Sequence, residues 1–363
     1  MRILLLGDYS NVHATLAAGL RELGHYVTVA SDGDGWKNYP RDIDLRRPSL
    51  SRSRWSSLRY YFELQWKCRK FRGYDVVQLI NPVFLPLKGE RILPFYQDLR
   101  RYNKKVFMGA FGMDHYYVRT CLDCTTFRYS DFNFGNQLRH NSDNEAWIRD
   151  WLYGAKGLLN RQIAADCDGI IAGLYEYYAS YRNEFADKLR FIPFPIRVDE
   201  SPLSVHQPLR FFIGIQKARS AYKGTDIMLR ALERVAQRYP DAMEIVRAES
   251  VPFEEYVRLF NNSDILLDQL YSYTPAMNAL EAMSHGMIVV GGAEPENYAI
   301  LGDTDLKPIV NVQPNEDDVY DQLCLLMDRR DELLQLKADS REYIRRYHDH
   351  LKVARQYLDF WGI

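Results

Sequence analysis

The chain has 363 residues, 47 Lys+Arg against 48 Asp+Glu, and a formal net charge of −1. At about 150 residues per domain that length predicts two domains, and 47% hydrophobic residues supply a packed core and exclude wholesale disorder. The even charge balance excludes a general nucleic-acid binder, whose footprint is strongly basic.

No run approaches the roughly 18 apolar residues of a membrane span. Residues 3–6 form too short an apolar stretch, too soon followed by polar residues, for a signal-peptide core. The five cysteines (Cys68, Cys121, Cys124, Cys167, Cys324) are few and odd in number, which suits a reducing compartment better than a disulfide framework. The expected location is the cytoplasm.

In chain order, residues 2–6 form a continuous apolar run, the pattern of a parallel strand buried on both faces. Val12, Leu16, Leu20 and Leu23 then recur at helical spacing, Gly24 stops the helix, and 26–30 is the next strand. Asp32-Gly33-Asp34-Gly35 is spaced like a metal loop but reads as a glycine-rich turn after a strand. Further strands are expected at 75–80 and 105–110 with a helix at 92–102 between them. A long irregular stretch over 111–142 leads to a helix at 144–165 and short strands at 169–173 and 189–192. Pro193-Phe194-Pro195 ends this half, and 200–208 reads as a linker.

The second half repeats the alternation: strands at 209–215, 243–248, 265–268, 287–290 and 309–312, with helices at 224–238, 253–260, 275–285 and 316–327. Strands alternating with helices at this spacing predict doubly wound parallel sheets. In the tail, 332–361, Ile344, Tyr347, Leu351, Ala354, Leu358 and Trp361 fall at steps of three and four, one long amphipathic stripe.

Residues 41–73 stand apart, with ten basic residues against three acids and Trp55, Tyr60, Tyr61, Phe62, Trp66 and Phe71 interleaved. A basic, amphipathic, Trp-bearing segment suits the surface of an anionic membrane; a solvated helix whose aromatics pack on the sheet has the same composition.

Two segments of the second half carry chemistry. The loop 214–224 (GIQKARSAYKG) follows a strand and opens a helix, so Lys217, Arg219 and Lys223 gather at a strand's carboxyl end. A diphosphate needs fixed positive charge and backbone N–H donors at one point, and that place offers both. In the segment 273–290 (YTPAMNALEAMSHGMIVV), Glu281 sits in a short apolar helix, where a carboxylate needs a partner such as a ribose diol. The amides near Ala276, Met277 and Asn278 would face an anion.

The order of strand, Lys-rich loop ending Lys-Gly, helix, and then Leu-Glu-Ala-Met-x-x-Gly-x-x-Val-Val resembles the nucleotide-sugar glycosyltransferases of the GT-B fold, most like the retaining family 4 group. Phe194-Pro195-Ile196-Arg197-Val198-Asp199 and Asn262-Ser263-Asp264-Ile265 resemble further segments of that group. The resemblance covers 209–300 well and the first half in architecture only. It implies two Rossmann-like doubly wound domains facing across a cleft: an acceptor-side domain over 1–200, a donor-binding domain over 201–335, and a C-terminal helix over 336–363 crossing back onto the first. It implies a hexosyltransferase working on a nucleotide-diphosphate sugar and a glycan or lipid-linked acceptor. Lys217 or Arg219, with Lys223, would hold the diphosphate; Met277 and Asn278 would face the phosphate or sugar; Glu281 would bind the ribose.

The chain also departs from the group. Tyr273 stands where a glutamate is usual, eight positions before Glu281, and Phe111-Gly112-Met113-Asp114-His115 replaces a His-Gly-x-Asp segment. A non-catalytic nucleotide- or glycan-binding protein on the same fold is the alternative these departures favour.

In the transfer itself, charge builds on the departing diphosphate, and preorganised cations stabilise it without a metal or other cofactor. Asp114 or His115 is the candidate to orient the acceptor hydroxyl or assist its proton. Cys121-x-x-Cys124 with His115 and His140 has the ligand types for zinc, though two unrelated thiols in an acceptor-side loop are the expected reading.

Overall fold

The computed structural model describes residues 1–48, 53–216, 220–302 and 305–362. The elements run β1 (Arg2–Leu6), α1 (Val12–Glu22), β2 (Tyr26–Ser31), β3 (Ile43–Asp44), α2 (Arg54–Cys68), β4 (Val76–Leu79), α3 (Leu93–Tyr102), β5 (Lys105–Ala110), α4 (His115–Cys121), β6 (Asn133–Phe134), β7 (Gln137–Leu138), α5 (Ser142–Ile148), α6 (Ala155–Asp166), β8 (Gly169–Ala172), α7 (Tyr175–Phe185) and β9 (Leu189–Phe191). They continue β10 (Leu209–Ile215), α8 (Ser220–Lys223), α9 (Thr225–Arg238), β11 (Met243–Glu249), α10 (Phe253–Asn261), β12 (Ile265–Leu267), α11 (Met277–Ser284), β13 (Ile288–Gly291), α12 (Pro295–Leu301), β14 (Val310–Asn311), α13 (Glu316–Asp328), α14 (Leu333–Tyr343) and α15 (His350–Trp361).

The chain forms two compact units. One holds Met1–Thr126, His140–Pro195 and His350–Ile363; the other holds Phe127–Arg139 and Ile196–Asp349. In the first, seven parallel strands lie in the order β3-β2-β1-β4-β5-β8-β9. In the second, five parallel strands lie in the order β11-β10-β12-β13-β14. Continuous apolar runs make this architecture. Ile3 to Leu6 and Phe211 to Ile213 are wholly buried, so both faces of each sheet need helices, and parallel neighbours need crossover helices to connect them. Each sheet reverses its winding beside its first strand, between β1 and β4 and between β10 and β12. Those reversals open crevices at the strands' carboxyl ends, where doubly wound sheets hold ligands.

The unit boundaries depart from 1–200, 201–335 and 336–363 in three places: residues 127–139 and residues 196–200 belong to the second unit, and the return to the first comes at His350. The tail is therefore not one helix. α14 widens into a π turn over Ile344–His348, Asp349 is extended, and α15 starts afresh in the first unit. There α15 lies against α1 so closely that a Cβ on Gly19 would stand 2.5 Å from the His350 carbonyl oxygen. The helix expected over 144–165 is also interrupted. α5 passes into a π turn over Arg149–Tyr153, and α6 restarts after Gly154. A Cβ on Gly157 would stand 2.0 Å from the Trp151 carbonyl oxygen, so only glycine admits this turn. Finally, α11 begins at Met277 behind an extended Ala276, which leaves Pro275 outside the helix rather than in its first turn.

Candidate functional site

The crevice of the second sheet is built from three connections. After β10, residues 217–219 lie outside the described residues, and the expected roles of Lys217 and Arg219 lie there with them. α8 follows, and Gly224 turns the chain at φ 74° into α9. The Lys223 carbonyl accepts the Leu270 amide (3.0 Å), and a Cβ on Gly224 would stand 2.9 Å from Leu270. Lys223 and Gly224 are thereby fixed to the chain leaving β12.

Just past β12, Asp268 faces the same crevice. Burial raises its pKa, while the Lys223 charge and the Asn278 side chain pull it back. Asn278 Nδ2 donates to Asp268 Oδ1 (3.2 Å), and Tyr256 Oη donates to Asn278 Oδ1 (2.9 Å). Tyr256 is itself held by α10, its ring edge-on to Phe212 at 5.2 Å and stacked on Phe260 at 6.0 Å. The absence of a side chain at Gly214 lets it approach, since a Cβ there would stand 3.1 Å from the Tyr256 ring.

Asn278 lies in the first turn of α11, whose N-cap is Ala276, so no side chain caps the amides of Met277 and Asn278. The opening of this helix carries partial positive charge. Glu281 lies three residues on, on the same helix face as Asn278. Its exposed carboxylate is 3.5 Å from His285 Nε2, and His285 Nδ1 is 2.8 Å from Asp199 Oδ2. Glu281 first, and Asp199 with it, raise the His285 pKa against its burial. Lys223, Asp268, Asn278 and Tyr256 thus form one group, with Met277 beside it and Glu281 one turn along.

The first sheet's crevice is filled differently. The Asp8 carboxylate, buried at the end of β1, accepts the His13 amide (3.0 Å) and the Ala14 amide (3.3 Å). It occupies the anion position at the N-terminus of α1. Burial raises its pKa to about 7 despite those hydrogen bonds. His13, with Nδ1 at 2.7 Å from the Gly7 carbonyl oxygen, is buried and its pKa is lowered to about 3.

Asp114 and His115 are interior residues. Asp114 is the N-cap of α4: Oδ1 accepts the Tyr117 amide (2.9 Å) and Oδ2 accepts the Tyr181 hydroxyl (2.8 Å). Burial raises its pKa to about 6 against those bonds. The His115 amide donates to Asn160 Oδ1 (2.9 Å), and its ring Nδ1 is 2.9 Å from the Trp151 carbonyl oxygen; burial lowers its pKa. Among the described residues, no group of three or more His, Cys, Asp or Glu is arranged to hold a metal ion. Cys121 is buried, and Cys124 Sγ sits 3.8 Å from the Leu122 carbonyl oxygen.

The stretch expected to serve the acceptor, 111–142, is divided. Its middle, 127–139, is an arm of the second unit built around the β6–β7 hairpin. Tyr273 is buried there: its hydroxyl accepts the Arg128 amide (2.6 Å), and its ring lies 5.6 Å from Phe127 and 5.1 Å from Tyr129. The Arg128 guanidinium stands 4.7 Å above the Tyr273 ring and pairs with Glu294 (2.7 Å) and Glu296 (2.6 Å). Buried Glu294 also accepts Tyr129, Gln313 and Asn311. At the arm's other end the Arg139 guanidinium lies 3.4 Å over the Tyr271 ring and donates to the Tyr222 carbonyl (3.3 Å), next to Lys223. No local pattern in the sequence signals this arm, whose Arg128 and Tyr273 are far apart along the chain. Asp8 and Asp268 carried no signal either, because each is a single acid after a strand.

Two Rossmann-like units with this strand order, closed by a C-terminal helix that returns to the first unit, define the GT-B fold. The structural comparisons agree. Sucrose-phosphate synthase from Thermosynechococcus elongatus matches with a TM-score of 0.62 at 13% identity, over 100% of this chain and 98% of that one. HepE from Anabaena, solved in complex with UDP and glucose, matches with a TM-score of 0.59 at 10% identity, over 100% of this chain and 99% of that one. UDP-GlcNAc 2-epimerase from Neisseria meningitidis, bound to UDP-GlcNAc, matches with a TM-score of 0.54 at 11% identity, over 99% of each chain. At these identities the likeness is one of fold. No family model matches the sequence, and a search of the curated proteins found no match.

Proposed function

We propose that the chain is a hexosyltransferase that moves a sugar from a nucleotide-diphosphate sugar to a glycan or lipid-linked acceptor, working in the cytoplasm at the inner face of the membrane. The observation that carries this reading is the group at the second crevice: Lys223 beside the Asp268–Asn278–Tyr256 chain, at the uncapped opening of α11, with Glu281 one turn along. A donor would set its diphosphate against Lys223 and the Met277 and Asn278 amides, with Lys217 and Arg219 completing the cationic loop, and its ribose hydroxyls on Glu281.

The step breaks the bond between the anomeric carbon and the diphosphate oxygen, whose electron pair leaves with the diphosphate. The acceptor oxygen bonds to the same carbon. In the retaining course proposed, the acceptor's proton passes to the departing phosphate. Fixed cations and helix amides stabilise the charge that builds on the leaving group, which makes a metal unnecessary to this reading. Asp114 and His115 serve the acceptor side by holding α4 in place rather than by touching sugar.

The test is release of nucleoside diphosphate from a panel of nucleotide sugars, with chelator present and absent and the product anomer read by NMR. Transfer that persists in chelator with the anomer retained is expected. Transfer that stops in chelator removes the metal-free course, and an inverted product removes the retaining one. The second reading, a binding protein without transfer, is favoured by the engagement of Tyr273 with the arm; nucleotide binding with no turnover of any donor would establish it.

A further inference from the structure

α2 divides its aromatics between two environments. Tyr60 and Leu64 are buried in the core of the first unit, and Tyr61 packs edge-on to Phe95 at 5.7 Å. On the other side Trp55 (83% exposed), Leu58 (45%), Phe62 (58%) and Trp66 (59%) point to water. Their spacing of three, four and four residues aligns them in one stripe. Four large apolar side chains in a line on a water-facing helix mark an interaction surface, where scattered single ones would need no explanation.

The charges around the stripe identify what covers it. Arg54, Arg59, Arg69 and Lys70 are exposed beside it, and the Lys70 ammonium lies 5.1 Å from the Trp66 ring. The one acid of the helix, Glu63, is paired with Lys67 at 2.7 Å. Farther up the basic segment, Arg41 and Arg46 are consumed by Asp44, so the working surface is the helix and its C-terminal flank rather than the whole of 41–73. Among the described residues no helix is long and apolar enough to cross a membrane.

We propose that α2 lies flat on an anionic lipid bilayer, with Trp55, Leu58, Phe62 and Trp66 entering the boundary between headgroups and acyl chains and the flanking cations on lipid phosphates. The proposal deepens the reading of a lipid-linked acceptor and rests on that reading for its purpose: the first unit would be held where such an acceptor presents its head.

The test is sedimentation of the full chain, without nucleotide, with vesicles of phosphatidylcholine alone and of phosphatidylcholine mixed with phosphatidylglycerol. Binding to the mixed vesicles only is expected, falling steeply with salt. Two variants separate the contributions: Trp55→Ser with Phe62→Ser and Trp66→Ser, and Arg59→Glu with Arg69→Glu and Lys70→Glu. All six residues are exposed, so both variants should keep the parent's melting temperature, and each should lose about tenfold or more in partitioning. Equal binding to neutral vesicles, absence of binding, or variants that bind like the parent would overturn the proposal. So would a dimer of the parent that the serine variant dissolves while vesicle binding is unchanged, since the stripe would then face a second copy. Nucleotide binding does not enter this experiment, so its failure leaves the donor-site reading standing.

Discussion

The two crevices have the same origin and opposite chemistry. Each opens where a parallel sheet reverses its winding, at the carboxyl end of the unit's first strand. In the first unit, the chain's own Asp8 sits on the amides of α1, beside a buried neutral His13. In the second, the opening of α11 has no side-chain cap, and the backbone of Lys223 is held by the Leu270 amide. A phosphate arriving at the first crevice meets a carboxylate already in its place; at the second it meets charge of the right sign. Topology supplies two equivalent positions, and a few side chains decide the charge that each presents.

This contrast can be broken at several points. The largest expected effect is on ligand binding: Lys223→Ala should weaken nucleoside diphosphate binding by about 1.5–3 kcal/mol, the range of a charge-assisted hydrogen bond, as measured by calorimetric titration. Of similar size but in the other unit, Gly7→Ala should destabilise the fold by about 1–3 kcal/mol with nucleotide affinity unchanged. Gly7 has φ 80°, and a Cβ there would stand 2.3 Å from Ile80 Cγ2. Denaturant melts with and without nucleotide check both halves of that statement.

The next effect is spread over pH. Folding raises Asp8 from 3.8 to about 7, so between those values the folded chain holds a proton that the unfolded chain has lost, and this group makes stability fall as pH rises. His13 goes the other way, from 6.5 to about 3: the unfolded chain holds the extra proton, and stability rises with pH. The two slopes oppose between about pH 4 and 6.5. Asp8→Asn should therefore expose the His13 slope, and its stability should climb relative to the parent by up to about 1.4 kcal/mol per pH unit over that range. Equal pH profiles for parent and variant would remove the buried-carboxylate account of the first crevice. The smallest effect is local. Glu281→Gln should lower the His285 pKa, because Glu281 is the main group raising it, and imidazole NMR shifts across a pH titration read this directly.

The sheets were legible in the sequence because a strand buried on both faces must be apolar at every position: the runs at 105–110 and 209–215 match β5 and β10 residue for residue. Segment ends were less legible. Pro275 suggested a first helical turn, yet the helix starts after Ala276. Ile344 and Tyr347 continue the tail's apolar spacing straight through a π turn, so periodicity conceals the break before α15. The arm was hidden for a different reason. Arg128 and Tyr273 are 145 residues apart, and no local pattern reports a contact of that range. Asp114 carried a readable signal, an acid three residues before the amide it caps, which competed with its appeal as a catalytic acid. Within the candidate site, Lys223, Met277, Asn278 and Glu281 could be named from the motif. Asp268 and Tyr256 could not, because their part depends on how β12 and α10 end beside Asn278.

The central claim is that a nucleoside diphosphate binds at the second crevice and not the first. Calorimetric titration of the parent, Lys223→Ala and Asp8→Asn with uridine, guanosine and adenosine diphosphates tests it most directly. The account predicts binding of at least one of them by the parent, weakened about tenfold or more by Lys223→Ala and untouched by Asp8→Asn. Binding lost on changing Asp8 and kept on changing Lys223 would contradict it.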